Sequence, residues 1–189
     1  MDEFGSKSLI ALGSNQKLPG SDPAEILREA IVTMARGGLV IRAVSRFFAT
    51  PCFPAGAGPD YVNAAVLATG GDSPGAVLDL LHEIEAGAGR ERVQRWGMRT
   101  LDLDLLDFDG RVLPDAETHA LWRDLPLEEQ MRRAPEQLIL PHPRIQDRAF
   151  VLVPVMDICP DWVHPLLNLT VSEMLAALPP GEIDAVRPL

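Results

Sequence analysis

Arg95-Trp96-Gly97-Met98-Arg99-Thr100-Leu101-Asp102-Leu103-Asp104-Leu105-Leu106 sets two carboxylates one residue apart within an apolar run, directly after a basic segment. Side chains alternate faces along a β-strand, so Asp102 and Asp104 share one face about 6–7 Å apart, while Leu101, Leu103 and Leu105 share the other. The leucines form the buried face and the carboxylates project together from the opposite one. An ordinary half-solvated strand reads the same way. What distinguishes this one is the run Arg90, Arg92, Arg95 and Arg99, in a chain whose formal net charge is −10. Guanidinium forks bind phosphate oxygens in pairs, and Mg2+ combines one or two protein carboxylates with phosphate oxygens and water. The pattern predicts a metal-assisted polyphosphate site, set against the plainer alternative of a solvated strand and helix end.

Upstream of this strand, Ser73-Pro74 supplies a cap and first turn. Val77, Leu78, Leu81, Ile84 and Glu85 then carry a helix to Gly87. Before it, residues 39–48 and 61–69 read as strands separated by a loop rich in Pro, Gly and Ala. Asp22 is a candidate N-cap with Pro23 at the first helical position, and Ile26, Leu27, Ala30, Ile31 and Met34 keep helical spacing until Gly37-Gly38. Residues 7–12 form a first strand that ends in the turn Gly13-Ser14-Asn15. The order β-α-β-β-α-β predicts an α+β, ferredoxin-like core: an antiparallel sheet with helices on one face and the other face free for a site. Beyond the turn at Asp109-Gly110 lies a polar, partly helical inserted segment at about 113–137. An apolar helix from about Ala149 and a short helix over 171–178 follow as extra C-terminal helices.

With 189 residues, 47% of them hydrophobic, the chain is expected to form a single domain over 7–189, with residues 1–6 a tail outside the fold. The most apolar stretch, 149–159, is about half the length that spans a bilayer, and Pro154 interrupts it. The start of the chain is acidic with no long apolar run after it, so no signal peptide is expected. Cys52 and Cys159 are far apart and fit neither a zinc nor a disulfide pattern. These features predict a cytoplasmic protein without a membrane segment, taken as a monomer. Its acidity argues against nucleic acid as a partner.

Several blocks together resemble one family: Gly13-Ser14-Asn15; Phe48-Ala49-Thr50-Pro51; Pro59-Asp60-Tyr61-Val62-Asn63-Ala64-Ala65; Arg95-Trp96-Gly97 with Arg99-Thr100-Leu101-Asp102-Leu103-Asp104; and Leu140-Pro141-His142-Pro143 with Arg148 and Phe150. In this order, over roughly residues 8–165, they look like the 6-hydroxymethyl-7,8-dihydropterin pyrophosphokinases of folate biosynthesis. The resemblance implies a ferredoxin-like fold and transfer of the β,γ-pyrophosphoryl unit of ATP to the hydroxymethyl group of the pterin, leaving AMP. It implies that Asp102 and Asp104 bind two Mg2+ ions alongside ATP, and that Arg90, Arg92 and Arg99 act with them on the phosphates. ATP would also meet Glu85, Trp96, His142 and Arg148. The pterin would meet Thr50, Pro51, Phe53, Tyr61, Asn63 and Phe150, with Asn63 on the ring edge and Phe150 stacked on the ring.

The chain departs from the family's commonest pattern at Cys52, Phe53, Val93 and Pro143, and in the length of the inserted segment. The competing readings are a ferredoxin-like binding module such as an RNA-binding domain, a catalytically lost relative serving as a partner protein, and a Mg2+-dependent phosphotransferase for another flat heterocycle. The first wants aromatic residues on central strands and a basic surface. This chain offers aspartates and net negative charge instead.

Overall fold

The computed structural model describes residues 5–15, 22–52, 58–88 and 100–189, the side chains of Leu127 and Met131 excepted. Asp22 accepts a hydrogen bond from the Glu25 backbone N–H, and Glu25 accepts one from the Asp22 N–H. This capping box starts α1 (Pro23–Arg36), which buries Ile26, Leu27, Ala30 and Met34. Ser73 caps the second helix, α2 (Pro74–Gly87), by accepting from Ala76 N–H, and Val77, Leu81 and Ile84 face the core. Both helices run as the sequence predicts.

The strands are β1 (Lys7–Ser14), β2 (Val40–Val44), β3 (Phe48–Thr50), β4 (Tyr61–Thr69) and β5 (Asp102–Phe108). The single strand expected over 39–48 is broken into two. β2 pairs with the Val66–Thr69 end of β4 and β3 with Tyr61–Asn63, so both lie along one edge of β4. At the break, Ser45 N–H donates to the Ala65 carbonyl and Ala65 N–H donates to Ser45 Oγ. A side chain thus takes the place of a backbone acceptor, and the edge bends without leaving a buried donor unpaired. The order β5-β1-β4, with β2 and β3 beyond, is antiparallel throughout and has the ferredoxin-like arrangement.

Ile10, Leu12, Ala64, Val66, Ala68, Leu103 and Leu105 meet α1 and α2 on one face. The rest of the chain decides the other face. After β5 come α3 (Ala116–Arg123), α4 (Leu127–Arg132), a 3-10 turn at Ile145–Asp147, α5 (Ala149–Ile158), α6 (Val171–Ala176), α7 (Pro180–Asp184) and β6 (Arg187–Pro188). Val151, Leu152 and Val155 of α5, with Val171 and Met174 of α6, pack on Leu9, Ala65 and Leu106. The second face is therefore half covered, where the sequence alone left it open. Leu106 reaches the α5 side by simple alternation from Asp102 and Asp104, and a bulge in the β1–β5 ladder opposite Leu9 and Ile10 then resets the alternation and returns Phe108 to the main core. Beyond the expected terminal helix, α7 leads into β6, whose two residues pair with β3 and so cover an edge that would otherwise be exposed. No helix among the described residues is long and apolar enough to cross a membrane.

A second buried cluster lies beside α3. His164 is fully buried, and its Nδ1 accepts from the N–H groups of Leu166 and Leu167, each at 3.2 Å. Its ring stands edge-on to Trp162 and His119, with centroids 5.6 and 5.9 Å away. Burial, reinforced by His119 and Arg123, pulls its pKa down to about 4. The unfolded chain, with an ordinary histidine value, takes up this proton first, so the neutral ring's contribution is complete above about pH 6.5 and is lost as the pH falls towards 4. The loss is about 3 kcal/mol at most. Denaturant unfolding at pH 7 and pH 4.5 should show the wild type losing more stability than His164→Asn, whose amide oxygen can accept the same N–H groups without titrating. Equal losses would show that His164 does not set the acid sensitivity.

Candidate active site

The same second face carries a group of polar residues, with Thr50 and Asn63 buried and Asp102 and Asp104 half-buried. In the antiparallel ladders, Gly13 of β1 stands opposite Asn63 of β4 on one side and opposite Asp102 of β5 on the other. Directly opposed residues project to the same face. Asn63, Gly13 and Asp102 therefore form one row across three strands, spanning about 10 Å at the usual strand spacing. One step along, Ala11 stands opposite both Ala65 and Asp104. Small residues on β1 keep the middle of each row low, with Asn63 and Asp102 on either side of Gly13 and Asp104 beside Ala11. A methyl group on Gly13 would lie 3.1 Å from Asn63 Oδ1 and 4.0 Å from the Tyr61 ring. The glycine is thus the floor of a trough.

At the β4 end, Asn63 is buried and its Nδ2 donates to Thr50 Oγ1 at 2.6 Å. That bond holds the amide so that its oxygen faces the trough over Gly13. Thr50 and Tyr61 are themselves a cross-strand pair on this face, and Pro51 follows at the exposed end of β3. Asn15 donates from Nδ2 to the Pro59 carbonyl at 3.3 Å, tying the end of β1 to the chain that leads into β4.

At the β5 end, Asp102 and Asp104 are both half-buried on the trough side, as the alternation with the leucines predicts. Three further interactions hold their strand. Ser14 Oγ donates to the Thr100 carbonyl at 2.5 Å. Glu85, buried at the C-terminal end of α2, accepts from Leu103 N–H at 2.8 Å. His142 N–H donates to the Leu106 carbonyl at 2.7 Å. β5 lies at the end of the sheet, so the last two bonds satisfy backbone groups that an edge strand leaves open. The structure accordingly gives Glu85 a place in the scaffold of the Asp strand, where the family resemblance points to nucleotide contact.

His142 is partly exposed at this end. Its Nδ1 accepts from Arg144 N–H at 3.1 Å, which leaves the proton of the neutral ring on Nε2. Burial lowers its pKa to about 3, repulsion by Arg148 adds to the shift, and attraction to Asp102 opposes it. The ring is a neutral N–H donor near pH 7, close to both a carboxylate and a guanidinium. Arg148 itself precedes α5 and stands over the ring of Phe150 at 5.7 Å. Phe150, in the first turn of α5, is 41% exposed.

The structure therefore brings Thr50, Tyr61, Asn63, Asp102 and Asp104 to one face. It sets His142 near Asp102 and Arg148, and Arg148 against Phe150. Phe53, Arg90, Arg92, Trp96 and Arg99, and the departure at Val93, lie outside the described residues. Three contributors were not singled out individually from the sequence: Gly13, Ser14 and Arg144. The turn block Gly13-Ser14-Asn15 was a signal for the first two. The Arg144 contact runs through backbone N–H, which side-chain pattern does not encode.

Comparisons with known proteins identify the relatives of this chain. The family described as 7,8-dihydro-6-hydroxymethylpterin-pyrophosphokinase (HPPK) matches residues 9–160. The 2-amino-4-hydroxy-6-hydroxymethyldihydropteridine pyrophosphokinase of Methylorubrum extorquens is 33% identical over 96% of this chain and 99% of its own length. The protein of the same name from Synechocystis sp. is 38% identical over 62% of this chain, and the match spans half of that protein. Among solved structures, wild-type Plasmodium falciparum HPPK-DHPS superposes with a TM-score of 0.61 at 14% identity. That likeness covers 93% of this chain and 45% of the Plasmodium chain, and it speaks to the fold. On the family match across most of its length, together with relatives of full-length coverage, the chain belongs to the 7,8-dihydro-6-hydroxymethylpterin-pyrophosphokinase family.

Proposed function

We propose that this chain transfers the β,γ-pyrophosphoryl unit of ATP to the hydroxymethyl oxygen of 6-hydroxymethyl-7,8-dihydropterin, yielding AMP and the pterin pyrophosphate. The observation that carries this reading is the row Asn63–Gly13–Asp102 across β4, β1 and β5. It sets an amide that can read the edge of a flat heterocycle at one end and a pair of carboxylates at the other. The span between them matches a bicyclic ring with a one-carbon arm. Asn63 Oδ1, held by the bond to Thr50, accepts from N–H groups of the pterin edge, and Tyr61 and Phe150 offer aromatic surface to the ring. A flat ligand held by its faces and fixed by a few polar groups suits such a cleft.

Asp102 and Asp104 fit Mg2+, because two half-buried carboxylates on one face leave coordination places for phosphate oxygens and water. Bound there, Mg2+ would neutralise charge on the ATP phosphates. Neutral His142 donates from Nε2 to a phosphate oxygen, and Arg148 adds a guanidinium at the same end. Arg90, Arg92 and Arg99, with Trp96, are proposed to complete the nucleotide site, as the family resemblance implies. The pterin oxygen forms a bond to the β-phosphorus, the bond from that phosphorus to the oxygen of AMP breaks, and the hydroxyl proton is released. No covalent enzyme intermediate is needed, so positioning and electrostatics carry the rate. The site is proposed to act in a monomer in the cytoplasm, on small molecules alone.

Chromatography of the nucleotide products from ATP, Mg2+ and the pterin should show AMP that depends on the pterin. ADP would mark an ordinary kinase, and absence of both with folded protein would mark a lost activity. Asp102→Asn and Asp104→Asn should each lower kcat by roughly 100-fold or more with the fold retained, judged by circular dichroism, because charge stabilisation at the reacting phosphates is removed. Near-normal turnover in either variant would overturn the assignment of that carboxylate. Gly13→Ala, which crowds Asn63 Oδ1, should raise the KM for the pterin roughly tenfold and leave that for ATP within about twofold, a difference equivalent to about 1.4 kcal/mol of binding. Steady-state titration of each substrate at saturation of the other reads this directly.

A further inference from the structure

We infer that the inserted helix α3 braces the nucleotide end of the site, and that His119 on it is a positioning residue acting through the carbonyl of Pro141. The inference rests on the proposed reading that His142 meets ATP. Asp115 caps α3 by accepting from Thr118 N–H, and one turn on, His119 is fully buried. Its Nε2 lies 2.9 Å from the carbonyl oxygen of Pro141. A carbonyl only accepts, so Nε2 carries the proton and the tautomer is fixed. The ring of His164, itself pinned by two backbone N–H groups, stands edge-on against it. His119 is therefore held from behind and aimed at the residue that precedes His142.

Two further ties join α3 and the chain before it to the same segment. The carbonyl of Arg123, the last residue of α3, accepts from Arg144 Nη1 at 3.0 Å. Arg144 also pairs with Asp147, and its backbone N–H is the donor that orients the His142 ring. Just before α3, Leu113 and Leu140 exchange two backbone hydrogen bonds, of 2.9 and 3.1 Å. Residues 140–144 thus hang between β5, through the Leu106 carbonyl, and α3, through His119 and Arg123. Nothing in these ties touches Asn63 or Thr50, so the brace acts on one substrate's end of the trough and not the other's. A donor lost at His119 would leave the buried Pro141 carbonyl unpaired, and the turn would be free to settle elsewhere.

Steady-state kinetics of four variants test this, with thermal unfolding as a check on folding. His119→Phe keeps a ring and loses the donor. His119→Gln returns an amide N–H at the reach of Nε2, whereas His119→Asn offers one only at the reach of Nδ1. His142→Ala reports on the nucleotide contact itself. Phe and Asn at position 119 should raise the KM for ATP roughly tenfold with the KM for the pterin within about twofold, and Gln should restore most of the loss. The Asn and Gln pair carries the comparison if the Phe variant fails to fold. If His142→Ala weakens ATP binding and no position-119 variant does, the brace is overturned while the proposed function stands. If His142→Ala leaves the KM for ATP unchanged, the nucleotide role of His142 fails and the brace fails with it. A purely structural role for His119 would lower the active fraction and leave both KM values alone, which also overturns it.

Discussion

The pairing of β1 with two neighbours at once is the constraint on which the rest of the structure depends. Among the described residues β1 alone is hydrogen-bonded to both β4 and β5, and its register with each places a single residue, Gly13, between Asn63 and Asp102. A slip of one residue in either ladder would turn an entire set of side chains to the opposite face. The slip is opposed by the buried row on the other side: Ile10 and Leu12 of β1, Ala64 and Val66 of β4, Leu103 and Leu105 of β5, all packed under α1 and α2. The polar trough inherits its alignment from the apolar face beneath it, so the core that stabilises the fold also sets the geometry of the site.

An edge strand carrying two carboxylates poses a difficulty, because its outer backbone groups are open and its wet face bears like charges. The structure answers the first part with groups from outside the sheet: Glu85 accepts from Leu103 N–H, and His142 N–H donates to the Leu106 carbonyl. These contacts join the Asp strand to α2 and to the turn that carries His142. For the second part a guanidinium lies close by: Arg148 and Asp102 both act on the His142 ring, in opposite directions. A chain of net charge −10 can hold an anionic ligand in this way because local guanidinium and N–H donors, and not the overall charge, set the field within a Debye length.

The C-terminal half of the chain adds walls to a core that the first 108 residues build. α5 covers Leu9, Ala65 and Leu106. At its start Arg148 stands over the ring of Phe150. β6 pairs with β3, the strand that carries Thr50. The walls are held by apolar burial, Phe48 of β3 packing with Ala149 of α5 and Val186.

Both long helices were legible residue by residue, because Asp22-Pro23 and Ser73-Pro74 are local signals whose hydrogen bonds form within one turn. The exposure of Asp102 and Asp104 together was legible for a similar reason: alternation along a strand is a property of the backbone alone. The break between β2 and β3 was not, since it depends on Ser45 meeting Ala65 of another strand. Nor was the covering of half the second face, where an apolar helix carries no mark of which surface it will find. His119 shows the limit most plainly: within a polar inserted segment it looks like a solvated residue, and only its approach to Pro141 and His164 makes it a buried donor. The sequence by itself determined the elements, their order and the family likeness, because these follow from periodicity, caps and local motifs. The tertiary structure alone decided the Asn63–Gly13–Asp102 row, the closure of the Asp strand's edge and the bracing of His142, because each is a contact between residues far apart in the chain.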